Sequence, residues 1–223
     1  MPLSSLDIVF YYTGLATGPA NNTISLGGTI SLATITDALA NNIYDDVTGD
    51  ESGAGDTEYR GIYVKDTNTT YTMINTKFWI AGYLRAATGA DTISIASSTF
   101  SLGANTMGIC TDESTAPNET AGSIIWVVEG ATPTTPSNTV GFTSAGLATT
   151  IPASIGATTL AAGSYFGIWL RRIVPPGALA YTSRACTLKV QCETTASPYT
   201  FTLTKEYVIN FDGTRSGAIS VVQ

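Results

Sequence analysis

The sequence predicts an all-β protein, an antiparallel two-sheet β-sandwich of jelly-roll-like arrangement. Three observations predict it. Short runs rich in Val, Ile, Thr, Tyr, Phe and Trp recur along the chain, bounded by clusters of Gly, Pro, Asn and Asp. Two of these runs alternate strictly: Cys186, Leu188, Val190 and Cys192 against Thr187, Lys189, Gln191 and Glu193, then Tyr199, Phe201 and Leu203 against Thr200, Thr202 and Thr204. That is the period of a sheet with one buried and one wet face. No long amphipathic helix pattern lies between the strand runs, so the crossovers of a parallel α/β fold have nothing to form from.

Taken in order, the strand runs are 6–12, 23–33, 58–65, 71–84, 92–96, 123–129, 164–174, 185–193 and 199–209. Residues 1–35 form either the first strands of the domain or an arm that adds strands to a neighbouring subunit. Residues 36–212 make the sandwich and 213–223 a C-terminal tail. Thr36 to Asn42 reads as a single short helical turn capped by Thr36. Ile124 to Val128 and Phe166 to Leu170 are apolar on both faces, which marks central strands whose outer face is covered. The proline-bearing stretch from Ala116 to Gly163 reads as loops around the strand holding Trp126.

Composition narrows the function. Of 223 residues, 43% are hydrophobic and only 12% charged, so the chain folds, and its surface is dominated by neutral hydroxyls and amides. Such a surface is inexpensive to desolvate against neighbours. A net charge of −7 with 10 Lys and Arg gives too little cationic surface for a phosphate backbone or an anionic bilayer, so neither nucleic acid nor membrane is an expected partner. The start of the chain lacks a signal-peptide pattern and no run is long enough to span a bilayer, so the expected compartment is the cytoplasm. Cys110, Cys186 and Cys192 are expected to be free; the last two lie roughly 20 Å apart along one extended strand, beyond disulfide reach.

The chain contains no histidine. This removes Ser-His-Asp and Cys-His nucleophiles and histidine metal sites together. No phosphate-binding glycine motif is present, and Gly53 to Glu58 lacks the third glycine and following helix of a dinucleotide fingerprint. No enzyme, catalytic residue or cofactor is therefore expected. The acidic stretch Asp45 to Glu58 reads as a solvated turn; were calcium bound, Asp45, Asp46, Asp50 and Glu51 would supply its oxygen ligands, although their spacing departs from an EF-hand loop. The same acids are the only carboxylate pair on offer to a hydrolase.

Other residues read as structural. Adjacent Arg171 and Arg172 point to opposite faces of a strand, so one meets an inward or interfacial carboxylate. Arg60 shares a face with Ile62 and Val64. Trp79, Trp126, Trp169, Tyr11, Tyr12, Tyr63 and Tyr71 lie in or beside strand runs, where core packing competes with a sugar-binding face. The glycosylation sequons at Asn21, Asn68 and Asn118 are expected by chance in a chain rich in threonine.

Two segments carry a resemblance. Asn42 to Val47, continuing through Gly55-Asp56-Thr57-Glu58-Tyr59-Arg60-Gly61-Ile62-Tyr63-Val64-Lys65, and Gly167-Ile168-Trp169-Leu170-Arg171-Arg172-Ile173-Val174-Pro175-Pro176-Gly177-Ala178 resemble segments of small virion structural proteins of tailed bacteriophages and prophages. The resemblance implies a structural role in a phage particle assembled in the host cytoplasm. The expected post is capsid decoration or cementing, as a homo-oligomer bound in many copies to the major capsid protein. A tail, baseplate or fibre component is the alternative within that class, and a carbohydrate-binding adhesion module the alternative outside it. The resemblance implicates Arg60, Trp169, Arg171 and Arg172 as scaffold, with no catalytic signature among them.

Overall fold

A computed structural model of the chain describes residues 3–14, 20–84, 91–102, 106–119, 127–128, 149–150, 159–178, 184–196 and 199–211. Ten strands and one short helix follow in order: β1 (Ile8–Gly14), β2 (Thr29–Thr34), α1 (Gly49–Ala54), β3 (Asp56–Asp66), β4 (Met73–Leu84), β5 (Thr92–Leu102), β6 (Val127–Val128), β7 (Thr149–Thr150), β8 (Tyr165–Val174), β9 (Arg184–Ala196) and β10 (Tyr199–Phe211). They form two antiparallel sheets, β2-β1-β3-β8-β5-β6 and β10-β9-β4-β7. The predicted sandwich is what the chain builds.

The core lies between the sheets. Phe10 from β1, Ile62 and Val64 from β3, and Phe166, Ile168 and Leu170 from β8 meet Phe78 and Ile80 from β4 and Leu188 and Val190 from β9. Phe78 and Phe166 stack across the layer at 5.7 Å between ring centroids. Cys186 and Cys192 join this core and Cys110 a second cluster; all three are free and buried. Burial pushes the Cys110 and Cys192 thiols up to about 12, so they pack as neutral groups.

The first 35 residues contribute strands to the domain: β1 pairs with β3 from Ile8↔Asp66 to Tyr12↔Ile62, and β2 pairs with β1. The run expected over 23–33 shortens to Thr29–Thr34. Asn21 Oδ1 accepts from the Thr23 and Ile24 amides and turns the chain, and Gly27 and Gly28 then adopt φ of +96° and +83°. The helical turn expected at 36–42 is also absent. Ala38 and Asn41 sit at φ of +56° and +54°, which no right-handed helix tolerates. The helix instead occupies Gly49–Ala54, inside the stretch expected to be a solvated turn. There Thr48 Oγ1 accepts from the Glu51 amide while the Glu51 carboxylate accepts from the Thr48 amide, a reciprocal capping box.

The outer face of β3 and β8 is covered, as a doubly apolar β8 requires. Residues 20–28 and 106–119 lie over it, joined by hydrogen bonds from the Gly28 amide to the Gly108 carbonyl, the Met107 amide to the Gly28 carbonyl and the Cys110 amide to the Leu26 carbonyl. Trp169, Tyr63, Met107 and Cys110 form a second buried cluster beneath them. Ile124, Ile125, Trp126 and the tail from 213 to 223 fall outside the described residues.

A charge-locked end of the sandwich

The candidate site residues converge at one end of the sandwich, where the acidic stretch, β3, β8 and the 106–119 segment meet. Glu58 and Arg172 are direct partners in the β3–β8 ladder. Both are buried on the core-facing side, at 3% and 1% exposure, and Arg172 Nε donates to Glu58 Oε2. Arg172 Nη1 also donates to the Asp45 carbonyl at 2.9 Å. Two residues along β3, Arg60 is wholly buried and donates to Glu113 at 2.6 Å and to the Tyr59 carbonyl at 3.0 Å. The Tyr44 ring lies between them, 4.8 Å from the Arg172 guanidinium and 5.7 Å from that of Arg60. Both cations thus face a π system in a dry environment, where that contact is strongest.

Asp45, Glu58 and Glu113 bring carboxylate oxygens within 4.8 Å of one another, a spacing a metal ion accepts. The centre of this triad is occupied by the protein itself. Arg60 Nη2 lies 2.6 Å from Glu113, 3.7 Å from Glu58 and 3.8 Å from Asp45. A guanidinium nitrogen stands where a divalent ion would have to sit, and a second guanidinium lies 3.8 Å from Asp45. The donor set does not fit calcium, which takes six to eight oxygens without a competing cation among them.

The four expected calcium ligands are also dispersed. Asp45 faces the two arginines, Asp46 Oδ1 accepts from the Asn41 side chain at 3.0 Å, Glu51 caps α1, and Asp50 occupies the first turn of that helix. Asp50 and Glu51 are neighbours on a helix and diverge by about 100°. They cannot flank one scissile bond as the paired carboxylates of a hydrolase would.

Burial drives the Glu58 carboxyl up to about 7, against the downward pull of Arg172 and Arg60. Burial pulls the Arg172 guanidinium down, and the charge and hydrogen bond of Glu58 more than offset it. At the far end of β3, Asp66 is raised to about 6 by burial, and its Oδ2 has no hydrogen-bond partner. The sign follows directly. A carboxyl whose folded value exceeds its unfolded one holds a proton in the folded state that the unfolded chain has released, so stability falls as pH rises through that window. Asp66→Asn is expected to stabilise the chain by about 1–2 kcal/mol at pH 7 and to have little effect at pH 4, measured as urea midpoints at both pH values.

The remaining candidates resolve into packing. Arg171 projects to the face opposite Arg172, its Nη2 donating to Ser94 Oγ at 3.4 Å. Trp169 is fully buried under the covering segments, and its indole N–H donates to Glu119 Oε1 at 2.8 Å. The same carboxylate oxygen accepts from Ser98 Oγ and the Gly108 amide. Sequence reasoning missed Glu119, Glu113 and Tyr44, because each depends on loops whose docking no local pattern announces. Trp79 and Tyr63 are buried and Tyr12 donates to the Asn42 carbonyl, which withdraws three of the aromatic residues considered for a sugar-binding face. The sequon asparagines are turn formers: Asn21 as described, Asn68 accepting from the Thr70 and Tyr71 amides, and Asn118 from that of Ile109.

Fold and site together define an all-β sandwich whose candidate polar residues are internally paired. No protein-family model matches the chain, and no curated protein matches it. Among solved structures, it is similar to AvmM, described as catalysing macrocyclization in alchivemycin A biosynthesis, at 8% identity and a TM-score of 0.40, covering 97% of this chain and 93% of that one. A family 123 glycoside hydrolase from Clostridium perfringens aligns at 11% identity and a TM-score of 0.28, over 76% of this chain and 22% of the hydrolase. Likenesses this distant carry no argument about activity.

Proposed function

We propose that this protein is a non-enzymatic structural component of a bacteriophage virion, a decoration or cement protein that binds the major capsid protein in many copies. The observation that carries a structural role is the closure of the charged end: Glu58, Arg60 and Arg172 are buried and paired with one another and with the loops around them. The virion reading rests on the resemblance of the two segments. They are adjacent strands, β3 and β8, paired from Asp56↔Val174 to Lys65↔Tyr165, and the first also brings Tyr44 and Asp45 to the same cluster. The resemblance therefore concerns one framework unit.

Quantitative mass spectrometry of purified particles tests the proposal. A decoration protein is expected at a copy number comparable with that of the major capsid protein. A few copies per particle would transfer it to the tail or baseplate, and absence from the particle would end the virion reading.

A further inference from the structure

The large hydrophobic side chains that are exposed among the described residues are Leu6, Ile24, Leu32, Leu39 and Ile109. They gather along one margin of the molecule, the β2 edge of the six-stranded sheet. Leu6 lines a pocket with Thr34 and Ile35 at one end of β2, and Leu39 follows the strand. Ile24 and Ile109 line a groove of about 430 Å³ at the other end with Thr29, and Gly14, Gly27 and Gly28 complete its wall. Between these ends stands Leu32, 84% exposed.

The strand itself makes Leu32 a projection. Partners along β1 and β2 run from Tyr11↔Thr34 to Thr13↔Ile30, so Ser31, Leu32 and Ala33 together oppose Tyr12 alone and bulge. The Ser31 hydroxyl accepts from the Ala33 amide within the bulge. That bond removes a donor an added strand would need, so the margin is poorly suited to continuous strand addition. What remains is a side-chain surface with a knob and a socket. Thr29 of the socket and Leu32 are three residues apart, about 10 Å along a strand.

Charge identifies the occupant. No charged residue occurs between Asp7 and Asp37 in a chain of net charge −7. Two like-charged copies can meet at this margin without opposing carboxylates in its centre, and edges kept solitary are commonly guarded by lysine or other charge, which is missing here. Knob and socket also lie on the same margin. A two-fold axis can therefore satisfy both contacts at once and close the assembly, whereas a knob and socket on opposite sides would propagate into a filament.

We infer that the chain forms a two-fold dimer through this margin, Leu32 of each copy seated in the Gly14, Ile24 and Ile109 groove of the other. The inference is independent of the virion proposal, since it needs no capsid. The test is sedimentation equilibrium on the full-length chain and two variants, Leu32→Asp in the knob and Ile109→Asp in the socket. Both sites are exposed, so melting temperatures should stay close to that of the parent. The expected results are a dimeric parent and association weakened roughly a hundredfold in each variant, the scale of losing a central anchor. An equimolar mixture of the two variants should associate more tightly than either alone, because it retains one intact knob and socket. A monomeric parent, a Leu32→Asp variant that dimerises like the parent, or a mixture no tighter than its components would overturn the inference.

Discussion

Arg172→Met is expected to lower stability by about 3–5 kcal/mol at pH 7.5, the scale of removing one partner from a buried ion pair. The methionine retains much of the apolar stem, so the loss reports the guanidinium rather than a void. Three contacts go with it: the bond to Glu58, the bond to the Asp45 carbonyl and the face of the Tyr44 ring. At this chain length that is a fall in melting temperature on the order of 10 °C. The loss should shrink at pH 5. There the Glu58 carboxyl, already raised by burial, carries its proton and no longer requires a countercharge. A loss independent of pH would assign the effect to packing alone. Calorimetry at the two pH values separates these outcomes.

Trp169→Ala is expected to cost at least as much, by a different route. A fully buried indole is removed from beneath the covering segments, worth about 3–5 kcal/mol for loss of a large aromatic side chain. Glu119 also loses one of the donors to its buried carboxylate. The cover itself fits closely around that ring. A Cβ placed on Gly27 would meet the Gly108 carbonyl oxygen at 2.0 Å and the Trp169 ring at 2.7 Å, and φ there is +96°, so position 27 accepts only glycine. Without the indole the two covering segments lose the surface they are moulded to. Limited proteolysis should then cleave within 106–119 faster than in the parent while β9 and β10 stay protected. Trp169→Phe, which keeps most of the apolar contact and loses the N–H, should be markedly milder. Equal losses for Ala and Phe would mean that the hydrogen bond to Glu119 outweighs the packing.

Much of the framework was legible in the sequence because its physics is local. The alternation of Cys186 to Cys192 appears in β9 as alternating buried and half-buried residues, and adjacent Arg171 and Arg172 separate to opposite faces because a strand requires it. The doubly apolar Phe166 to Leu170 run occupies a central strand covered on both sides. Pro175-Pro176-Gly177 ends β8 at Val174, and the turn then receives α1 through the bond from Ser52 Oγ to the Ala178 carbonyl.

The misses share a cause in turn chemistry. Thr48-Gly49-Asp50-Glu51 is a capping-box pattern, legible in retrospect, but six acids in one stretch drew the reading toward a solvated turn. Thr36 to Asn42 has helical composition, yet two residues of positive φ bend it. The charged end could not be assembled from sequence. Glu58 and Arg172 lie 114 residues apart, and Arg60 and Glu113 lie 53 apart. Only the register of β3 on β8 and the return of 106–119 bring them together.

The central claim is that these charged residues hold the framework together and do not serve a ligand. A double-mutant cycle between Glu58→Gln and Arg172→Met, read from urea denaturation of the four proteins at pH 7.5, tests it most directly. A coupling of about 2–3 kcal/mol, with the double variant more stable than the sum of the single losses implies, is the predicted result. Additive losses, or single variants as stable as the parent, would contradict it.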